Sequence, residues 1–134
     1  MNDQSLTKEN PRVVVIQKLY AHYLNNENEI TFSKHRYKKF IKDVVNGTIE
    51  RKELIQEFMN KELKNDINEN KTELMIKLMI MAAIYEFMYM HKTPVKVIIS
   101  EYVKVANFFV QESQKSFLNA ILEKVSKVSR ALNE

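Results

Sequence analysis

Apolar residues recur along this chain at intervals of three and four, the spacing that lines them up on one side of an α-helix. Ile16, Leu19, Tyr20, Tyr23 and Leu24 follow that rule. They predict a first helix from about Pro11 to Asn25, with Pro11 in a first turn that can spare its N–H. The polar stretch NNENEI then interrupts the pattern. Tyr37, Phe40, Ile41, Val44 and Val45 define a second helix. Thr31 or Ser33 is its expected N-cap, and Gly47 its expected left-handed C-terminal residue. Leu54, Ile55, Phe58, Met59 and Leu63 give a third helix, and the asparagine-rich KNDINENK at 64–71 marks the best internal boundary.

The second half is more apolar. LMIKLMIMAAIYEFMYM (74–90) is hydrophobic on nearly all sides, as expected of a central helix that packs on several neighbours. Thr93-Pro94 reads as a cap followed by a first-turn proline. Behind it Val95, Ile98, Ile99, Tyr102, Ala106 and Phe109 line one face. A last helix over about 113–132 is predicted to bury Phe117, Leu118, Ile121, Leu122, Val125 and Val128. No strand periodicity and no repeat is present. The pattern predicts an all-α fold of about six to seven helices, forming a single domain over 1–134 with sub-bundles at roughly 11–66 and 67–134.

Composition narrows the function. The chain has 134 residues, one glycine, two prolines and no cysteine. Phosphate-cradling loops and nucleophile elbows need glycine for sharp turns and close backbone approach, and thiol chemistry needs cysteine. His22, His35 and His91 are scattered without metal-ligand spacing, so neither metal nor cofactor is expected, nor an enzyme. The longest apolar run, Leu78 to Tyr85, falls far short of the ~20 residues that span a bilayer. The polar, acid-containing N-terminus does not read as a secretory leader. A cytoplasmic binding protein is the expectation, and membrane association is not.

The formal net charge of +4 is shared evenly between the two halves, a balance that permits nucleic-acid binding without requiring it. One stretch stands out: KHRYKKFIK (34–42) packs five Lys/Arg and His35 into nine residues, with Tyr37 and Phe40 between them. The aromatics share helical spacing with Ile41 and Val44, which favours a core face under a solvated basic face. The alternative is auxiliary contact with RNA phosphates. The methionines at 75, 79, 81, 88 and 90 suit an irregular core.

The order of motifs resembles a family, the bacterial NusB antitermination factors. RVVVIQKLYAHYL is similar to the family's opening helix through Gln17, Leu19 and Tyr20; AAIYE (82–86) resembles its alanine-hydrophobic-tyrosine-glutamate segment. TPVKVIISEYVKVANFF (93–109) resembles the valine-proline-x-lysine-valine helix, with Glu101 and Ala106 in register, and KSFLNAILEK (115–124) resembles the segment that follows. The resemblance implies two packed helical bundles and a non-enzymatic role. It implies pairing with NusE, a small-subunit ribosomal protein, and binding of single-stranded boxA RNA within the RNA polymerase antitermination complex, notably on ribosomal RNA operons. Single-stranded RNA is read by stacking, amide contacts to base edges and basic phosphate contacts. The family's regions supply Lys8 and Arg12 for phosphates, Gln17 and Asn119 as amides, and Tyr20 and Phe117 for stacking, with Glu86 at the edge of the NusE interface. Two departures stand out: Met81 where relatives carry arginine, and Ala120 where they carry glycine. The basic arm is also thin, which implies heavier reliance on the partner.

Two other readings keep the fold. One is an RNA-binding or adaptor module related to the N-terminal domain of ribosomal RNA cytosine methyltransferases, whose catalytic glycine loop and cysteine this chain lacks. The other is an adaptor that uses its methionine-rich face and no RNA. Self-association into a homodimer is compatible with all three.

Overall fold

The computed structural model describes residues 9–68 and 72–131, which form six α-helices and, among the described residues, no strand. They are α1 (Pro11–Leu24), α2 (Lys38–Glu50), α3 (Lys52–Glu62), α4 (Leu74–Tyr89), α5 (Val95–Ala106) and α6 (Glu112–Ala131). The all-round apolar helix is central: α4 packs against each of the other five. Its Met79, Ile80, Ala82, Ala83, Ile84 and Phe87 are fully enclosed. Helices α1–α3 lie against it from one side of the sequence and α5–α6 from the other, with α1 also touching α5. No helix among the described residues is long and apolar enough to cross a membrane.

Local chemistry sets the starts. The Asn10 side chain accepts hydrogen bonds from the N–H groups of Arg12 (3.0 Å) and Val13 (3.4 Å), and Pro11 opens α1. This satisfies donors that a helix start otherwise leaves without partners. The expected caps of α2 fail. Neither Thr31 nor Ser33 caps it, because the helix begins only at Lys38, after a non-helical segment in which Ile30 and Phe32 pack against the core. At α5 the proline stands one position earlier than expected. Pro94 is itself the N-cap, its carbonyl accepting from Val97 and Ile98.

Gly47 also departs from expectation. It has no positive φ and lies inside α2, which runs on to Glu50 with Arg51 alone separating it from α3. Its role is close packing: a Cβ there would overlap the Tyr85 ring. That ring is held by Tyr89 at 5.1 Å and by the Arg51 guanidinium at 5.9 Å. Alanine normally favours a helix over glycine by roughly 0.5–1 kcal/mol, whereas overpacking costs about 1–3 kcal/mol. Gly47→Ala is therefore expected to destabilise the protein in urea unfolding. Equal or greater stability would mean that Tyr85 can swing aside freely.

The predicted faces hold in the middle of each helix and fail at the ends. Tyr23 (58% exposed), Leu24 (63%) and Val128 (38%) lie open, while Val105 is fully buried. Phe109 follows the end of α5 and is half-buried.

Candidate nucleic-acid interface

Arg12 enters α1 at its second residue, and this register turns its side chain inward. Its Nε and Nη2 donate to the two carboxylate oxygens of Glu86 at 3.0 and 2.7 Å. The Tyr102 hydroxyl donates to the same carboxylate at 2.5 Å. Glu86 is 0% exposed and Arg12 9%. The guanidinium also lies over Phe40 (4.8 Å) and Tyr102 (5.6 Å). The bidentate pair joins α1 to α4, and the Tyr102 hydroxyl ties α5 to the same carboxylate. Two expectations change as a result. Arg12 is committed to a buried carboxylate, so it is not a free cation for phosphates, and Glu86 presents no surface to a partner. The sequence concealed this because a lone acid and a distant arginine give no sign of pairing before the chain folds.

Burial opposes the Arg12 charge, but the hydrogen bond and charge of Glu86 outweigh it and raise its pKa. Tyr102 is pushed well above 10, first by burial and then by the Glu86 charge. A raised phenol pKa means that the folded state keeps its proton where the unfolded chain releases one. Stability from Tyr102 is thus complete below about pH 10 and falls as pH rises further. The limit is about 1.4 kcal/mol per pH unit for one proton. Tyr85, raised by burial, adds to the same limb. Tyr102→Phe is expected to flatten the loss of stability above pH 10 in urea titrations; an unchanged alkaline slope would exclude Tyr102 as its source.

Gln17 is placed differently. It is exposed on α1 and lines a depression of about 370 Å³ with Lys18, Phe32, Lys34, His35 and Lys38. The half-buried Phe32 ring has Lys18 Nζ at 5.9 Å and Lys42 Nζ at 6.0 Å. Among the described residues none of Lys18, Lys34, Lys38 and Lys42 has a carboxylate partner. Beside the depression Tyr37, 44% exposed, carries the Arg36 guanidinium at 5.3 Å and the His35 ring at 6.1 Å. Folding therefore joins the amide on α1 to the basic segment 34–42. The result is a shallow groove with unpaired cations, an amide and accessible aromatic surface, the equipment single-stranded RNA binding uses.

The other expected residues do not join this groove. Tyr20 is half-buried and packs on the core. Phe117, also half-buried, lines a separate depression of about 220 Å³ with Asp66, Asn68, Thr72 and Glu73, where Lys124 is already paired with Asp66 at 2.7 Å. Asn119 is half-buried on the same helix, and its amide has no partner among the described residues. Helices α1 and α6 pack on α4 and share no extensive contact with each other. Met81 is 9% exposed and Ala120 is open to solvent. Lys8 lies outside the described residues. Lys18 was missed by sequence reading, since a single lysine on an amphipathic helix carries no signal until α2 is set against it.

The NusB family model matches residues 4–127. A protein of Rickettsia bellii (strain OSU 85-389) called Transcription antitermination protein NusB is 27% identical, with 86% of each chain covered. One of the same name from Bradyrhizobium diazoefficiens is 27% identical over 82% of this chain and 67% of its own. Among solved structures, T. maritima NusB superposes with a TM-score of 0.77 over 90% of both chains at 19% identity, a likeness of fold.

Proposed function

The chain belongs to the NusB family of transcription antitermination proteins, and on that footing we propose that it binds single-stranded boxA-type RNA in nascent transcripts, as a heterodimer with the ribosomal protein NusE. It acts in the cytoplasm, within the antitermination complex of RNA polymerase, and without catalysis. The observation that supports the RNA reading is the groove at Gln17, where unpaired lysines surround an amide and an aromatic ring. Lysines supply phosphate attraction, Gln17 offers a donor and an acceptor to a base edge, and Phe32 and Tyr37 offer stacking surfaces. With Arg12 held by Glu86, the phosphate contacts fall to Lys18, Lys34, Lys38 and Lys42. Tyr20, Phe117 and Asn119 remain candidates for further base contacts on a longer strand, and Lys8 for a phosphate.

Fluorescence anisotropy tests this reading. A boxA-like strand and a scrambled control are titrated with the protein alone and with NusE, at two salt concentrations. Preference for the boxA-like strand, strengthened by NusE, is the expected result. Equal weak binding of both strands, with a NusE complex still forming, would leave a protein adaptor instead.

A further inference from the structure

Two depressions, of about 390 and 490 Å³, adjoin along α3 and share Gln56, Lys77 and Met81, so that they form one groove. The groove meets α1 through Leu19, His22 and Tyr23 rather than Val14, Gln17 and Lys18. It is therefore separate from the RNA groove and does not depend on the RNA reading. Its apolar lining is open to a visitor: Tyr23 is 58% exposed, and Ile49, Leu74 and Ile67 are half-buried. Lys52 stands exposed in one depression and Lys64 in the other. Neither has a carboxylate partner among the described residues. No described aspartate or glutamate lines either depression, and Glu53, Glu57 and Glu62 of α3 stay outside both.

An apolar stripe between two unpaired cations selects its occupant. Lys52 opens α3 and Lys64 follows its end, so the groove runs beside a helix of 11 residues, roughly 16 Å long. A nucleic-acid strand would satisfy the lysines but set sugar and phosphate against the apolar lining. An extended peptide would bring main-chain N–H and C=O groups there, with no strand among the described residues to pair them. A helix bonds its own main chain, and an amphipathic one offers an apolar stripe of this length. We propose that the groove docks an amphipathic helix of a protein partner. Its apolar stripe lies on Tyr23, Ile49, Leu74 and Ile67, and acidic residues near its two ends face Lys52 and Lys64.

The test is an NMR titration of the full chain with a peptide of about 18 residues, long enough to hold a helix in water. It carries leucines at helical spacing and glutamates toward both ends. One control has the same residues scrambled, and another has lysine in place of glutamate. A saturable shift of amide signals at residues 23, 52, 64 and 67 with the acidic helix, and with neither control, is expected. No saturable shift into the millimolar range would mean that the groove docks no such helix, and an equal response to the scrambled peptide would mean attraction by net charge only; either overturns the proposal. Lys52→Glu with Lys64→Glu is expected to weaken the peptide roughly tenfold at low salt, and Tyr23→Ser roughly fivefold. All three side chains are exposed, so the fold should hold. Unchanged affinity in either variant would place the peptide elsewhere on the surface. Labelled single-stranded RNA and the peptide are expected to bind together; displacement of the peptide would assign these lysines to nucleic acid instead.

Discussion

Glu86→Ala is expected to remove about 3–5 kcal/mol of stability, because it strands the Arg12 guanidinium in a buried site without its counter-charge. Whole domains hold only about 5–15 kcal/mol, so this one change brings the protein close to unfolding. The loss reflects the uncompensated charge more than any net contribution of the pair. Desolvating both ions costs nearly what their attraction returns. Replacing both members at once with residues of similar volume, Arg12→Met with Glu86→Leu, is therefore expected to recover most of the lost stability. Tyr102 would then need Phe, since its hydroxyl would otherwise lose its acceptor. Urea unfolding of the single, double and triple variants measures this directly. A double variant as unstable as Glu86→Ala would show that these two side chains do more than neutralise each other. The pair also sets the position of α1, which carries Gln17 about a turn and a half beyond Arg12. Glu86→Ala should thus weaken RNA binding through a shifted groove even where the protein stays folded.

The second large effect concerns RNA. Replacing Lys18, Lys34 and Lys38 together by Gln is expected to weaken binding of the boxA-like strand roughly a hundredfold at low salt, at about 1 kcal/mol per lost charged contact. Each phosphate contact on a single strand contributes about 0.7 to the slope of log affinity against log salt, so the slope should flatten by roughly 2. Folding should be little changed, since Lys34 and Lys38 are exposed and none of the three is ion-paired. A control removes the same charge elsewhere, at Lys61, Lys96 and Lys127, all exposed. Equal losses in the two variants would mean that net charge matters and the groove does not.

Much of this was legible in the residues. The periodicity found all six helices, although α2 starts several residues after its expected caps, and the all-round apolarity of 74–90 identified α4 as the centre. Four short motifs in order pointed to the family before any coordinates. Helix ends were less legible. Gly47 reads as a terminator because glycine usually ends helices, yet here the demand for space came from Tyr85, thirty-eight positions away. Thr31 and Ser33 read as caps because no local signal shows that Ile30 and Phe32 must reach the core in a non-helical segment. The site was legible in part. Gln17 and the basic segment 34–42 were both visible, but as unrelated features.

The sequence by itself determined the fold class, the helices and the family, because those rest on spacing within one helix and on motif order, which are local along the chain. Tertiary structure alone decided which charges are available. Arg12 and Glu86 are 74 positions apart, and only the packing of α1 on α4 and α5 turns two expected surface groups into a buried pair. The same packing sets Gln17 and Lys18 against 34–42, leaving lysines without carboxylates in a groove that no single stretch of the chain contains. Charge pairing depends on distances of a few ångströms between residues remote in sequence, and those distances exist only once the chain has folded.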